Sequence, residues 1–141
     1  MAISEDRARE ILLAAHAAWN TKNIRTLVEF YTRDMTFWTN WGGEDNEPRT
    51  ITGRGEFLRH LAANRDALDC TTRVISFRLQ GACGRASAEL RLRDPRTGLR
   101  HVGTFRQVFT FSGEKIERLE EYHDASAMDA FRQLIVRADR P

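Results

Sequence analysis

The stretch from His101 to Asp124, HVGTFRQVFTFSGEKIERLEEYHD, constrains this chain most. Two runs of strand length flank Ser112-Gly113, and both alternate with period two. Successive side chains of a strand point to opposite faces. His101, Gly103, Phe105, Gln107, Phe109 and Phe111 therefore share one face, and Leu119, Glu121 and His123 share one in the second run. A face so rich in Phe and Leu has to be covered. Yet it carries Gln107, Glu121 and His123, and polar groups under an apolar cover are costly unless paired. The pattern predicts an antiparallel strand pair that forms the wall of a pocket with a polar floor.

The preceding segments supply the cover. Ser4, followed by Glu5 and Asp6, reads as an N-cap, and Ile11, Leu12, Ala15, Ala18 and Trp19 recur at helical spacing. Asn20 to Asn23 breaks that pattern. Ile24, Leu27, Val28 and Tyr31 predict a second helix ending at Arg33-Asp34, and Met35 to Asn40 a short strand. Trp41 to Pro48 is a loop with two glycines, the acids Glu44, Asp45 and Glu47, and a proline. Thr50 to Thr52 resembles a strand, and a third helix from Gly53 carries Phe57, Leu58 and Leu61 to near Asp66. Strands follow at Thr71 to Leu79 and Arg85 to Arg93, the second with Ala86, Ala88, Leu90 and Leu92 on one face. Asp94 to Gly98 is a hairpin turn, and a helix over Ala125 to Val136 closes the chain. Helices first and strands after give one α+β domain with an antiparallel meander.

Composition removes several functions. The 22 basic and 20 acidic residues of the 141 leave a net charge of +2, with no basic block to attract nucleic acid. No run of 18 apolar residues is long enough to span a membrane. The charged N-terminus has no signal-peptide core, so the expected compartment is the cytoplasm, with Cys70 and Cys83 as free thiols. The dispersed histidines His16, His60, His101 and His123 show no metal-site spacing, and neither metal nor cofactor is expected.

The segment WNTKNIRTLVEFYTRDMTFW, the later GRGEFLRHL and the closing FTFSGEKIERLEEYHD together resemble the nuclear transport factor 2-like superfamily, in its SnoaL-like and ketosteroid-isomerase-like branch. The likeness runs over about residues 5 to 135. It implies a cone-shaped, curved antiparallel sheet wrapped around N-terminal helices, a pocket at the open end, and a homodimer formed through the sheet. This scaffold hosts isomerases, cyclases, hydrolases, dehydratases and non-catalytic modules, so function has to be read from individual residues. The resemblance places a tyrosine, a general-base aspartate and a protonated acid of ketosteroid isomerases at Ala15, Thr39 and Gln107, and none keeps the required chemistry. An Arg/Asp/Asp arrangement like that of limonene epoxide hydrolases is not evident either.

The same alignment turns Trp19, Thr39, Trp41, Phe105, Gln107, Phe109, Leu119, Glu121 and His123 toward the cavity. His123 is the candidate for proton transfer, because an imidazole titrates near physiological pH. Glu121 either orients it or serves as a base whose pKa burial raises. Gln107 and Asn40 are candidates to hold a ligand oxygen. The opposing reading is that His123 and Glu121 merely satisfy one another or lie at a wet rim. His16, one step off the Ala15/Trp19 face, reads as a packing or surface residue. His60 and His101 read as solvent-side, Asp124 as an N-cap, and Trp38 as core or interface. Trp38 and Trp41 beside the Gly-Gly pair also suit a mobile lid or a core plug. The expected protein binds a compact, largely apolar organic molecule with a carbonyl or hydroxyl. It is either a cofactor-free acid–base enzyme or a binding or assembly module with a filled cavity.

Overall fold

Ser4 opens α1 (Glu5–Asn20) by accepting from Arg7 N through its hydroxyl, as the cap signal predicts. The stripe Ala8, Ile11, Leu12, Ala15, His16 and Ala18 is the buried face. Lys22, with φ of 63°, reverses the chain, and Asn23 caps α2 (Ile24–Glu29). Here the sequence spacing misleads: Tyr31 starts β1 (Tyr31–Thr39) and does not end a helix. Tyr31 pairs with Ile116, and Ile116 N donates to Phe30 O, so strand partners far along the chain override the local helical pattern. There follow β2 (Arg49–Thr52), α3 (Arg54–Ala67), β3 (Asp69–Gln80), β4 (Cys83–Arg93), β5 (Arg100–Ser112), β6 (Lys115–His123) and α4 (Ala125–Ala138). The computed structural model describes residues 2–41 and 47–139, so Glu44, Asp45 and the glycine pair of the expected lid lie outside the described residues.

The six strands form one curved sheet in the order β2-β1-β6-β5-β4-β3. The expectation of a wholly antiparallel sheet needs one correction: β1 and β6 run parallel. The chain leaves β1, makes α3 and the meander, and returns beside β1 in the same sense, which no hairpin could arrange. Along the β5–β6 hairpin Gln107 faces Glu121 and Phe105 faces His123. A register shift between Thr110 and Phe111 lets Ile116 and Leu119, three residues apart, both point inward. The first half of the inner face of β4, Gly84, Ala86 and Ala88, is lined by small residues and the second half by Leu90 and Leu92. At Gly84 a Cβ would stand 2.7 Å from the Phe77 ring, so only glycine admits that ring.

Two apolar clusters fill the concave side. One gathers Ile11 and Leu12 of α1 with Phe37, Phe57, Phe77, Phe109, Phe111 and Leu119. The other packs Met128 and Phe131 of α4 onto Ala88, Leu90, Leu92 and Phe105, with Trp41 and Cys70 at its margin. Gln107 lies on β5 between Phe105 of the second cluster and Phe109 of the first, at their seam. Among the described residues no helix is long and apolar enough to cross a membrane, and Cys70 and Cys83 are free thiols.

Candidate functional site

At that seam five side chains from four elements bond in sequence. His16 Nδ1 lies 2.6 Å from Thr72 Oγ1, and His16 Nε2 lies 2.8 Å from Gln107 Oε1. Gln107 Nε2 donates to Glu121 Oε2 at 2.8 Å, and Glu121 Oε1 stands 3.2 Å from His123 Nε2. The run Thr72, His16, Gln107, Glu121, His123 thus crosses the interior from edge strand β3, through α1, to the end of β6.

Chemistry assigns the protons. Burial by itself raises the Glu121 carboxyl, but the hydrogen bond and charge of His123 and the amide of Gln107 outweigh it, and the group sits below the ordinary carboxylate range. Glu121 is therefore ionised and can only accept. Gln107 must turn its amide nitrogen to the carboxylate and its oxygen to His16. Burial lowers the His16 imidazole, which is neutral. Its Nε2 must then carry the single proton donated to Gln107, and its Nδ1 accepts the hydroxyl proton of Thr72. Both ends of the ladder donate inward, and the carboxylate is where they converge.

Around it stand groups that feel the Glu121 charge. Burial, aided by that charge, raises the Tyr31 phenol, and burial pushes the Cys70 thiol up to about 11 against a hydrogen bond from Trp19. Both are neutral, and Cys70 is a poor nucleophile. Among the described residues no group of His, Cys, Asp or Glu is arranged to hold a metal ion.

Strand parity brings Gln107, Glu121 and His123 together with Phe105, Phe109 and Leu119 on the inner face. Phe105 stacks on the His123 ring at 4.8 Å and 10°. Trp19 packs beside the first apolar cluster. Thr39 is buried, but its hydroxyl accepts from Trp41 N and donates to Trp41 O, so it is occupied locally. Asn40 does not aim at the interior floor: its amide bonds the backbone of His123 on both sides. Trp41 lies against the second cluster, and its buried indole Nε1 has no partner among the described residues. Asp124 accepts from Ala127 N and caps α4 as expected.

Three histidine expectations change. His16 is buried and central to the ladder. The missed signal is the stripe Ala8, Leu12, Ala15, His16, Trp19, whose helical spacing puts His16 on the core side. His60 is half-buried, 5.2 Å from the Phe37 ring and bonded to Asn64. His101 stacks on Phe131 of α4 at 5.4 Å. Trp38 lies on the outer face, 5.1 Å from the Tyr122 ring.

Of the Glu121 side chain 20% is accessible, and of His123 12%. A cleft of about 480 Å³ lies mainly on the other side of the sheet. Outward residues Ile75, Ser87, Thr104, Arg106 and Tyr122 line it, and it reaches Asn40, Phe105, His123 and Asp124 where β6 ends.

Residues 12–119 match the family model described as the SnoaL-like domain. A protein of Catenulispora acidiphila with a ketosteroid isomerase-like fold, solved in complex with trimethylamine, superposes with a TM-score of 0.76 at 20% identity, over 86% of this chain and 90% of that one. SalBIII, an epoxide hydrolase/cyclase-like enzyme of pyran ring formation in the polyether salinomycin, gives 0.74 at 18%, over 88% and 95%. An LEH-like epoxide hydrolase of M. tuberculosis gives 0.74 at 16%, over 93% and 94%. No curated protein matches the sequence. At these identities the likeness carries the fold and leaves the chemistry to the site.

Proposed function

We infer the function of the site from one premise: the chain belongs to the SnoaL-like domain family. We propose that it is a cofactor-independent acid–base enzyme acting on a small, largely apolar organic molecule that bears a carbonyl or hydroxyl. The observation that carries this reading is the ladder converging on Glu121, which holds an ionised carboxylate against the ring of His123. In this proposal His123 exchanges the proton with the ligand. Glu121 orients the imidazole and stabilises the imidazolium that forms, and so serves as partner rather than base. Isomerisation, cyclisation and dehydration all need such a proton transfer beside an oxygen. The cyclase-like and epoxide-hydrolase relatives on this fold are compatible with that range.

The packing of Met128, Phe131 and Trp41 over Phe105 favours a second reading, a binding or assembly module whose cavity its own side chains fill. For association we propose a homodimer through the outer sheet face, where Trp38, Tyr122, Ile75 and Val102 lie. Free thiols at Cys70 and Cys83 suit a reducing cytoplasm.

The deciding experiment screens carbonyl- and hydroxyl-bearing compounds for turnover and for thermal shift. Against any compound turned over, His123→Ala is expected to lose on the order of 10²- to 10⁴-fold in rate. Undiminished turnover in His123→Ala would remove the acid–base role. Ligands that shift the melting temperature of wild type and His123→Ala alike, with no turnover in either, favour the binding module.

A further inference from the structure

Two asparagines outside the ladder repeat one device at its two ends. Asn20 Nδ2 donates to Thr72 O at 2.8 Å, and Thr72 N donates to Asn20 Oδ1 at 2.8 Å. At the opposite end Asn40 Nδ2 donates to His123 O at 2.9 Å, and His123 N donates to Asn40 Oδ1 at 2.8 Å. A primary amide presents an acceptor beside a donor, as a neighbouring peptide group does. Each asparagine therefore replaces a strand partner that the sheet lacks. Thr72 lies on edge strand β3, with no strand beyond it among the described residues. The β1–β6 pairing stops at Thr39 and Glu121, two residues short of His123. The clamped residues are the first and last members of the five-residue ladder.

We propose that Asn20 and Asn40 are a matched pair of positioning residues that fix the two ends of the ladder, so that the proton affinity of His123 is set partly from the α1–β3 junction on the far side of the interior. With Thr72 held by its backbone, its hydroxyl is kept where it can donate to His16 Nδ1, the acceptor left by the Nε2–H tautomer that Gln107 and Glu121 require. The donation to Nδ1 polarises the ring and strengthens the Nε2–H bond to the Gln107 oxygen, supporting the sense that the carboxylate imposes on that amide. Gln107 in turn delivers an N–H to Glu121, which shares its charge between Gln107 and His123. Released at Thr72, His16 Nδ1 loses its donor, and the Nε2–H bond that holds Gln107 against Glu121 weakens. The groups of other elements within the field of that carboxylate are His16 of α1, Tyr31 of β1, His60 of α3 and Cys70 of β3. Asp124, next to His123, is turned to the N-terminus of α4.

The inference gives its catalytic meaning to the acid–base reading of His123, but its test needs no substrate. Long-range proton–nitrogen NMR on the ¹⁵N-labelled full chain reads the tautomer and titration of each imidazole. Asn20→Ala is expected to move the ring-nitrogen shifts of His16 and to displace the His123 midpoint, although Asn20 bonds to neither His123 nor Glu121. Asn40→Ala is expected to displace the same midpoint further. Thr72→Val, which removes one hydroxyl and keeps the strand, reproduces the Asn20→Ala pattern and serves if that variant does not fold. A His123 midpoint and ring-nitrogen shifts unchanged in both Asn20→Ala and Thr72→Val overturn the proposal and leave Asn20 a structural clamp only. A displaced midpoint in a protein whose His123→Ala variant keeps full turnover supports the positioning and sinks the acid–base reading alone.

Discussion

Glu120 and Glu121 are neighbours in sequence on opposite faces of β6, and fractional exposure barely separates them. The Glu120 side chain is 25% accessible and that of Glu121 20%. What differs is the company. Glu120 meets Arg118 Nε at 3.3 Å and accepts from Tyr122 Oη at 2.6 Å, on a face where Arg106 also lies over the Tyr122 ring. Among the described residues Glu121 pairs with no arginine. It is held by a neutral amide and an imidazole between two apolar clusters. On the outer face water can replace any partner that is lost. On the inner face an orphaned donor stays orphaned, so the same chemical group carries a far larger penalty when its partner is removed.

The sharpest way to break this contrast is to remove each carboxylate in turn. Glu121→Leu strands the Gln107 amide and the His123 N–H, and is expected to destabilise by about 1–3 kcal/mol for each buried donor left without its acceptor. Glu120→Leu is expected to change stability by less than about 1 kcal/mol. Urea unfolding of the two variants measures both. Comparable losses would show that the inner face is as well hydrated as the outer one. Gln107→Leu tests the middle of the ladder. It leaves His16 Nε2–H without an acceptor and Glu121 without one donor, for an expected loss of about 1–3 kcal/mol.

A smaller effect follows from pH. Burial lowers the folded-state pKa of His16, so between the ordinary imidazole value of about 6.5 and that lower value the unfolded chain binds the extra proton. Stability therefore falls as pH drops through this window and levels off once the folded imidazole also protonates. Glu121, also lowered, acts in the same direction at lower pH. Its contribution is complete above the unfolded carboxyl value of about 4.3 and is lost as pH falls from there through the folded value. His16→Gln is expected to flatten the upper part of the acid limb and Glu121→Gln the lower part, in melting temperatures recorded from pH 8 to pH 3. A His16→Gln curve parallel to wild type through the upper window would show that His16 titrates freely.

How much of this the sequence disclosed depends on how far apart the partners lie along the chain. Gln107 to Glu121 spans 14 residues and Glu121 to His123 only 2, within one hairpin whose period-two pattern puts all three on one face. The bonds of His16 to Thr72 and to Gln107 span 56 and 91 residues. Helical spacing places His16 on the core side, but nothing local names its partners. The same holds for Asn40. Its position beside Thr39 suggested a ligand contact, whereas its amide answers backbone groups 83 residues away. The parallel β1–β6 pairing was hidden for the same reason. Alternation along one strand reports which face is inward and says nothing about the neighbour's direction.

The smallest expected effect sharpens the outer half of the comparison. Arg118 pairs with Glu120 two residues along the same strand, and its side chain is 43% exposed. In such a pair the Coulomb gain is screened by water and opposed by the entropy of fixing two long side chains. Arg118→Gln is therefore expected to shift stability by no more than about 0.5 kcal/mol, and added salt should erase most of that difference. The sheet-mediated dimer proposed above changes this expectation, because a partner over the outer face would exclude the water that does the screening. A loss well above 1 kcal/mol that resists salt, and grows with protein concentration in the same unfolding experiment, would mean that Arg118 is buried against a second copy. The contrast between Glu120 and Glu121 would then hold only for the monomer.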